Sequence, residues 1–225
     1  MSSRAVVFLF LVASIAPAWS GDWGPLVASS DRHDDGLIIS LLDGADFQTK
    51  VEMLEALGTR KDPYAADIIS WLLAAFSKTG EFRAEYLLRV TMRSLFGGGI
   101  SDADLAARLD ANAAVVDDLV NATGRFHDPQ LKGTIIDLFP RLGSAGRSSC
   151  MSALMETAAE IVSHLRESGG LLSSPDMALA FDCLAVIQEM GSADFLELTQ
   201  EMARLSRDAS LVKEARQVSH LLAGG

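Results

Sequence analysis

Four times along this chain an apolar helical run stops on an apolar residue followed by glycine: Leu57-Gly58, Phe96-Gly97, Leu142-Gly143 and Met190-Gly191. A weaker version is Leu222-Ala223-Gly224. The steps along this ladder of glycines are 39, 46, 48 and 33 residues. An apolar residue recurs five positions before each of the first four, at Met53, Met92, Leu138 and Val186. Glycine suits a helix stop because the position after the last turn often takes the left-handed conformation, which carries no Cβ penalty in glycine. Units of this size are helical hairpins that cannot bury their apolar faces alone. They must stack on their neighbours.

Between these stops the apolar residues follow the helical period throughout. The pattern predicts ten helices and no sheet, because no segment alternates with period two between hairpin signals. A short helix at Asp35–Leu42 comes first, then one capped by Asp46 that carries Phe47, Val51, Leu54 and Leu57. Asp62-Pro63 reads as N-cap and first-turn proline of a helix to Lys78, with Glu81–Phe96 as its partner. Ser101 with Asp104 resembles a capping box opening one long helix to about Thr123. Asp128-Pro129 and Ser174-Pro175 repeat the cap-plus-proline start, and a helix beginning at Ser148 or Ser149 lies between them. Ser192 and Asp208 open the last two.

The segment Leu54–Leu73, LEALGTRKDPYAADIISWLL, resembles the junction of HEAT-repeat proteins: an L-x-x-L-G helix end, a charged loop, an Asp-Pro start and a leucine-rich helix. Gly191–Leu222, with SRDASLVKEARQVSHLL, is similar to the same family's D-x-x-V-x-x-A second helix. The resemblance implies an all-α, right-handed α-α superhelix or solenoid of about five antiparallel helical hairpins over residues 35–225. It also implies that the second helices line a concave, protein-binding surface. Unit lengths vary, however, and Pro140 sits within the last turn of its helix.

Residues 1–20 have the form of a signal peptide. Arg4 precedes the uncharged run Ala5–Ile15, and Ala18-Trp19-Ser20 offers small residues at the −3 and −1 positions before Gly21. Residues 21–34 read as an irregular lead-in. Export to the periplasm or secretion is therefore expected, with no membrane insertion after cleavage. The segment holds one cation and no acid, so its removal moves the net charge from −11 to −12. A chain this acidic repels phosphate backbones, which argues against nucleic acid as a partner.

Chemistry is hard to find. His33, His127, His164 and His220 have no second ligand at metal spacing, and no phosphate loop, nucleophile elbow or metalloprotease motif is present. His33-Asp34-Asp35 reads as a helix cap rather than a metal site. Asn121-Ala122-Thr123 fits a glycosylation sequon. A hairpin turn at Ser168–Ser174 would leave Cys150 and Cys183 roughly 13 Å apart along the helix axes at about 1.5 Å per residue, beyond the ~7 Å Cα limit for a disulfide. Two buried thiols are the expectation.

The expected function is that of an exported scaffold, without catalysis or cofactor, that binds another protein or peptide along its concave face. On the family's geometry Arg89 and Arg93 could face that side, with Lys50 and Arg141 in neighbouring units. Two other classes stay open: an enzyme or enzyme-like chaperone holding a small ligand in the groove, and a self-associating structural component of an envelope.

Overall fold

A computed structural model of the chain describes residues 34–79, 82–142 and 147–224. The signal-peptide and lead-in assignments, His33 and Gly143 lie outside the described residues, apart from Asp34. The described chain is all-α, with eleven helices packed against one another and no strand among the described residues. They are α1 (Asp35–Gly44), α2 (Phe47–Glu55), α3 (Ala66–Thr79), α4 (Phe82–Phe96), α5 (Asp102–Ala111) and α6 (Ala113–Ala122). Then follow α7 (Pro129–Ile136), α8 (Arg147–Glu167), α9 (Ser174–Met190), α10 (Leu196–Leu205) and α11 (Ala209–Gly224).

The helices fall into two rows. In the first, α1 packs on α3, α3 on α6, α6 on α8 and α8 on α10. In the second, α2 packs on α4, α4 on α7, α7 on α9 and α9 on α11. Rungs join the rows as the hairpins α1–α2, α3–α4, α6–α7, α8–α9 and α10–α11. Helix α5 belongs to neither row and contacts α4 and α6. Among the ladder glycines, Gly97 and Gly191 directly follow second-row helices, Gly58 lies in the 3-10 turn Ala56–Thr59 after α2, and Gly224 lies within α11; α7 ends at Ile136, short of the expected Leu142.

Several starts are set by side chains that satisfy the first free amides of a helix. Asp46 accepts from Thr49 N–H at 2.8 Å, Ser101 from Asp104 N–H at 3.1 Å, and Asp128 from Gln130 N–H at 2.9 Å. Asp208 accepts from both Ser210 and Leu211 at 2.9 Å. The cap of α9 is Ser173, one residue before the expected Ser174, and bonds Asp176 N–H at 3.3 Å.

Two local expectations are corrected. First, Asp62 does not cap α3, which begins at Ala66. Its carboxylate instead turns back to Tyr64 N–H at 3.1 Å and pairs with Arg60. Second, the long helix from Ser101 breaks at Asn112, whose φ of −116° and ψ of 16° leave the helical region. The buried Asn112 Oδ1 accepts from Ala65 N–H at 2.8 Å, and its Nδ2 donates to the Pro63 and Arg108 carbonyls, both at 2.7 Å. These bonds reward the break between α5 and α6.

The ladder glycines also serve different needs. Gly191 has the expected left-handed conformation, φ 64° and ψ 20°. Gly58 does not; it is required by close approach, since a Cβ there would lie 2.5 Å from the Ser94 carbonyl oxygen. Its N–H donates to Ser94 Oγ at 2.7 Å, and that hydroxyl donates to the Glu55 carbonyl. Gly58→Ala should therefore push α2 and α4 apart and lower the unfolding free energy by about 1–3 kcal/mol, the usual cost of overpacking. A denaturant titration in which Gly58→Ala melts with wild type would remove the close-approach argument.

Buried polar residues key the helices and their loops to one another. Asp35 of α1 pairs with Arg60 after α2, and Lys132 of α7 pairs with Glu160 of α8. Glu85 of α4, 1% exposed, accepts from the His127 and Asp128 amides at 2.8 and 2.6 Å, ahead of α7. Within the last rung, Ser219 of α11 donates to Thr199 of α10 at 2.8 Å. Each such bond is lost if one element slides along its neighbour.

Candidate binding surfaces

The four cations singled out from the sequence do not form one cluster. Lys50 of α2 is half-buried and Arg93 of α4 is exposed, and neither makes an ion pair among the described residues. Arg89 is a joint between second-row helices. It pairs with Asp128 at 3.0 Å, donates to Gln130 Oε1 at 2.6 Å, and lies 4.7 Å over the Tyr86 ring. Arg141 stands elsewhere, in the short 3-10 turn Phe139–Arg141, paired with Asp102 of α5 at 3.2 Å.

Residues missed in the sequence reading extend the surface around Lys50 and Arg93. Phe47 packs on Tyr86 with ring centroids 5.6 Å apart, and Arg83 lies 5.7 Å over the Phe47 ring. Phe82, at 66% exposure, and Phe47 are among the most exposed large apolar side chains. The outer face of α2 and α4 thus combines aromatic rings with guanidinium and ammonium groups. Such a face suits carboxylates and apolar side chains together. The helical spacing of Phe82, Tyr86, Arg89 and Arg93 is the signal that could have found it.

A second feature is a cleft of about 370 Å³ bounded by α5, α6 and Arg141–Leu142. On the side of α5 away from it, Arg108 donates to the Leu95 carbonyl at 3.0 Å and the Gly58 carbonyl at 3.2 Å. Arg141 is the one singled-out cation that lines it.

A third is a carboxylate held in a poor place. Asp182 of α9 lies against Gly133 of α7, where a Cβ would meet its Oδ2 at 2.6 Å. Burial, and then repulsion from Asp137, raise its pKa from the ordinary 3.8 to about 6. A carboxyl whose pKa is higher folded than unfolded stabilises the fold most below its unfolded value, and that stability is lost as pH rises through the folded value. Stability should therefore increase as pH falls from about 7 towards 4. Asp182→Asn should be more stable than wild type at pH 7 and show a flatter pH profile. Thermal melts at closely spaced pH values check this; a steeper profile in Asp182→Asn would contradict it.

Chemically reactive groups are few. Cys150 and Cys183 are both buried, unpaired thiols. Burial raises the Cys150 pKa to about 11 and raises that of Cys183 further, so neither offers a thiolate at neutral pH. Among the described residues no group of three His, Cys, Asp or Glu side chains is placed to hold a metal ion. No described helix is long and apolar enough to cross a membrane. In the sequon, Thr123 is buried and donates to the Leu119 carbonyl at 3.0 Å, while Asn121 is exposed. Comparison of the chain with protein-family models, with curated proteins and with solved structures finds no match in any of the three.

Proposed function

We propose that the protein is an exported, HEAT-like α-solenoid, wound as a right-handed superhelix, that binds a protein or peptide partner on the outer face of its second row without catalysis or cofactor. The observation that carries this reading is the row order itself. Helices α2, α4, α7, α9 and α11 pack in succession, each with a hairpin mate in the other row, so the second row is an extended series of helices. A surface of that length suits an extended partner better than a compact metabolite. The aromatic and cationic face of α2 and α4 supports placing contacts at Phe47, Lys50, Tyr86 and Arg93. Export rests on Arg4, the apolar run Ala5–Ile15 and the small residues before Gly21.

Site-specific photocrosslinking tests the reading. A crosslinker at Lys50 or Arg93 should capture one protein in stoichiometric yield from the native compartment, whereas one at the exposed Ser70 of first-row α3 should not. Purification with a tightly held small molecule or lipid, and no crosslinked protein from either second-row position, would overturn it.

A further inference from the structure

We propose that the cleft between α5, α6 and Arg141–Leu142 is a binding site for a cationic, apolar peptide segment, distinct from the face of α2 and α4. Its lining divides by chemistry. Leu105, Leu109, Val116 and Leu142 supply apolar surface, and Ala106 and Ala113 keep the space open with small side chains. Three carboxylates, Asp102, Asp110 and Asp117, also line it, and the one cation among the lining residues is Arg141. An apolar floor with a net negative lining complements an aliphatic side chain next to a lysine or arginine. The protein's net charge of −11 adds long-range attraction for such a ligand and repels acidic ones.

The lining spans the junction of α5 and α6, and the Asn112 bonds to Pro63, Ala65 and Arg108 hold that junction in place. On the other side of α5, Arg108 ties the helix to the ends of second-row helices. The site is therefore preorganised by buried or half-buried bonds rather than by its own exposed lining. Arg141 lies at one end, its side chain 54% exposed and Asp102 86% exposed. An ion pair that open to water contributes little and exchanges readily, so an incoming guanidinium or ammonium can take Asp102 from Arg141. The resident arginine then acts as a competitor of the ligand.

The test is fluorescence anisotropy with a short labelled peptide in which arginine alternates with leucine, at near-physiological salt. Bulk attraction to an acidic protein is the alternative to be separated, and equal-charge variants do so. Asp110→Asn with Asp117→Asn should weaken binding by about tenfold, as expected when close charge pairs are lost. Asp43→Asn with Asp118→Asn, the same charge change at exposed positions outside the cleft, should stay within about twofold, the scale of screened surface charge. Ala113→Trp, at an exposed position, should block the cleft and abolish saturable binding, while Arg141→Ala should tighten it by about threefold as the competitor is removed. Equal losses in the two double-asparagine proteins would overturn the proposal, as would equal binding of a glutamate–leucine peptide or no binding by wild type. Concentration-dependent assembly of the wild-type protein that Asp110→Asn with Asp117→Asn abolishes would overturn the peptide assignment in favour of a second copy of the chain.

Discussion

Arg60→Met is expected to lower the unfolding free energy by about 3–5 kcal/mol, the cost of removing one partner from a buried ion pair. Arg60 is 6% exposed and Asp35 is fully buried, and the guanidinium also reaches Asp62 at 3.1 Å. Without the arginine, Asp35 keeps a carboxylate in a buried seam between α1 and the loop after α2, with Asp62 and Asp67 near enough to repel it. Burial already raises the Asp35 pKa, with the Arg60 hydrogen bond and charge as the opposing influences. Loss of those influences leaves the carboxyl to protonate or the seam to open. One carboxylate oxygen, Oδ2, and the Arg60 Nε have no hydrogen-bond partner among the described residues, so the pair is incompletely satisfied there. That predicts a second result. Asp35→Leu with Arg60→Met should recover most of the loss, because replacing a buried pair by apolar residues of similar size is often neutral or better. Equilibrium denaturation of the two proteins checks both statements. A mild effect of Arg60→Met alone would show that water reaches Asp35 and that the seam is not dry.

The same residue shows where sequence reading stops. Arg60 lies in Leu57-Gly58-Thr59-Arg60-Lys61-Asp62, which reads as a charged loop, yet of its two cations only Lys61 is exposed as such a loop requires. Nothing in residue type separates a guanidinium that snorkels from one folded inward on a carboxylate distant in sequence. Periodicity, by contrast, was legible because it reports burial that repeats every turn: Leu54 and Leu57, Leu88 and Met92, Leu184 and Ile187 are all buried. Helix ends were legible where the signal was local, as at Asp46, Ser101 and Asp128. They were misplaced where a distant group had taken over. Asp62 had the right spacing for a cap, yet Arg60 claims its carboxylate and Asn112 receives the Ala65 amide. The candidate surfaces follow the same division. The line Phe82, Tyr86, Arg89, Arg93 could be read from helical spacing, whereas the cleft also needs Arg141–Leu142 brought to α5 and α6 from a distance in sequence that periodicity does not report.

Asn112→Ala is expected to cost about 2–4 kcal/mol, since it strands the buried Ala65 amide and strips donors from two carbonyls. The residue is 1% exposed and joins three segments: the start of α3, the end of α5 and the start of α6. Asn112→Asp separates the contributions. It preserves the acceptor for Ala65 N–H but turns the donor aimed at the Pro63 and Arg108 carbonyls into an oxygen, and adds a buried charge. Its loss of stability should equal or exceed that of the alanine protein. If Asn112→Asp were instead close to wild type, the donor bonds would be immaterial and the break would owe its geometry to Ala65 alone. A stability loss here also differs in kind from one at Arg60. Both substitutions weaken a seam, but Asn112 holds the junction of α5 and α6, whose residues line the cleft. At a temperature where Asn112→Ala remains folded, its affinity for the arginine–leucine peptide should fall, while the Arg60→Met protein, folded under the same conditions, keeps wild-type affinity. Retained affinity in Asn112→Ala would mean that the Arg108 bonds to the Gly58 and Leu95 carbonyls suffice to position α5. The placement of α5, and with it one wall of the cleft, would then be set from the second row of helices.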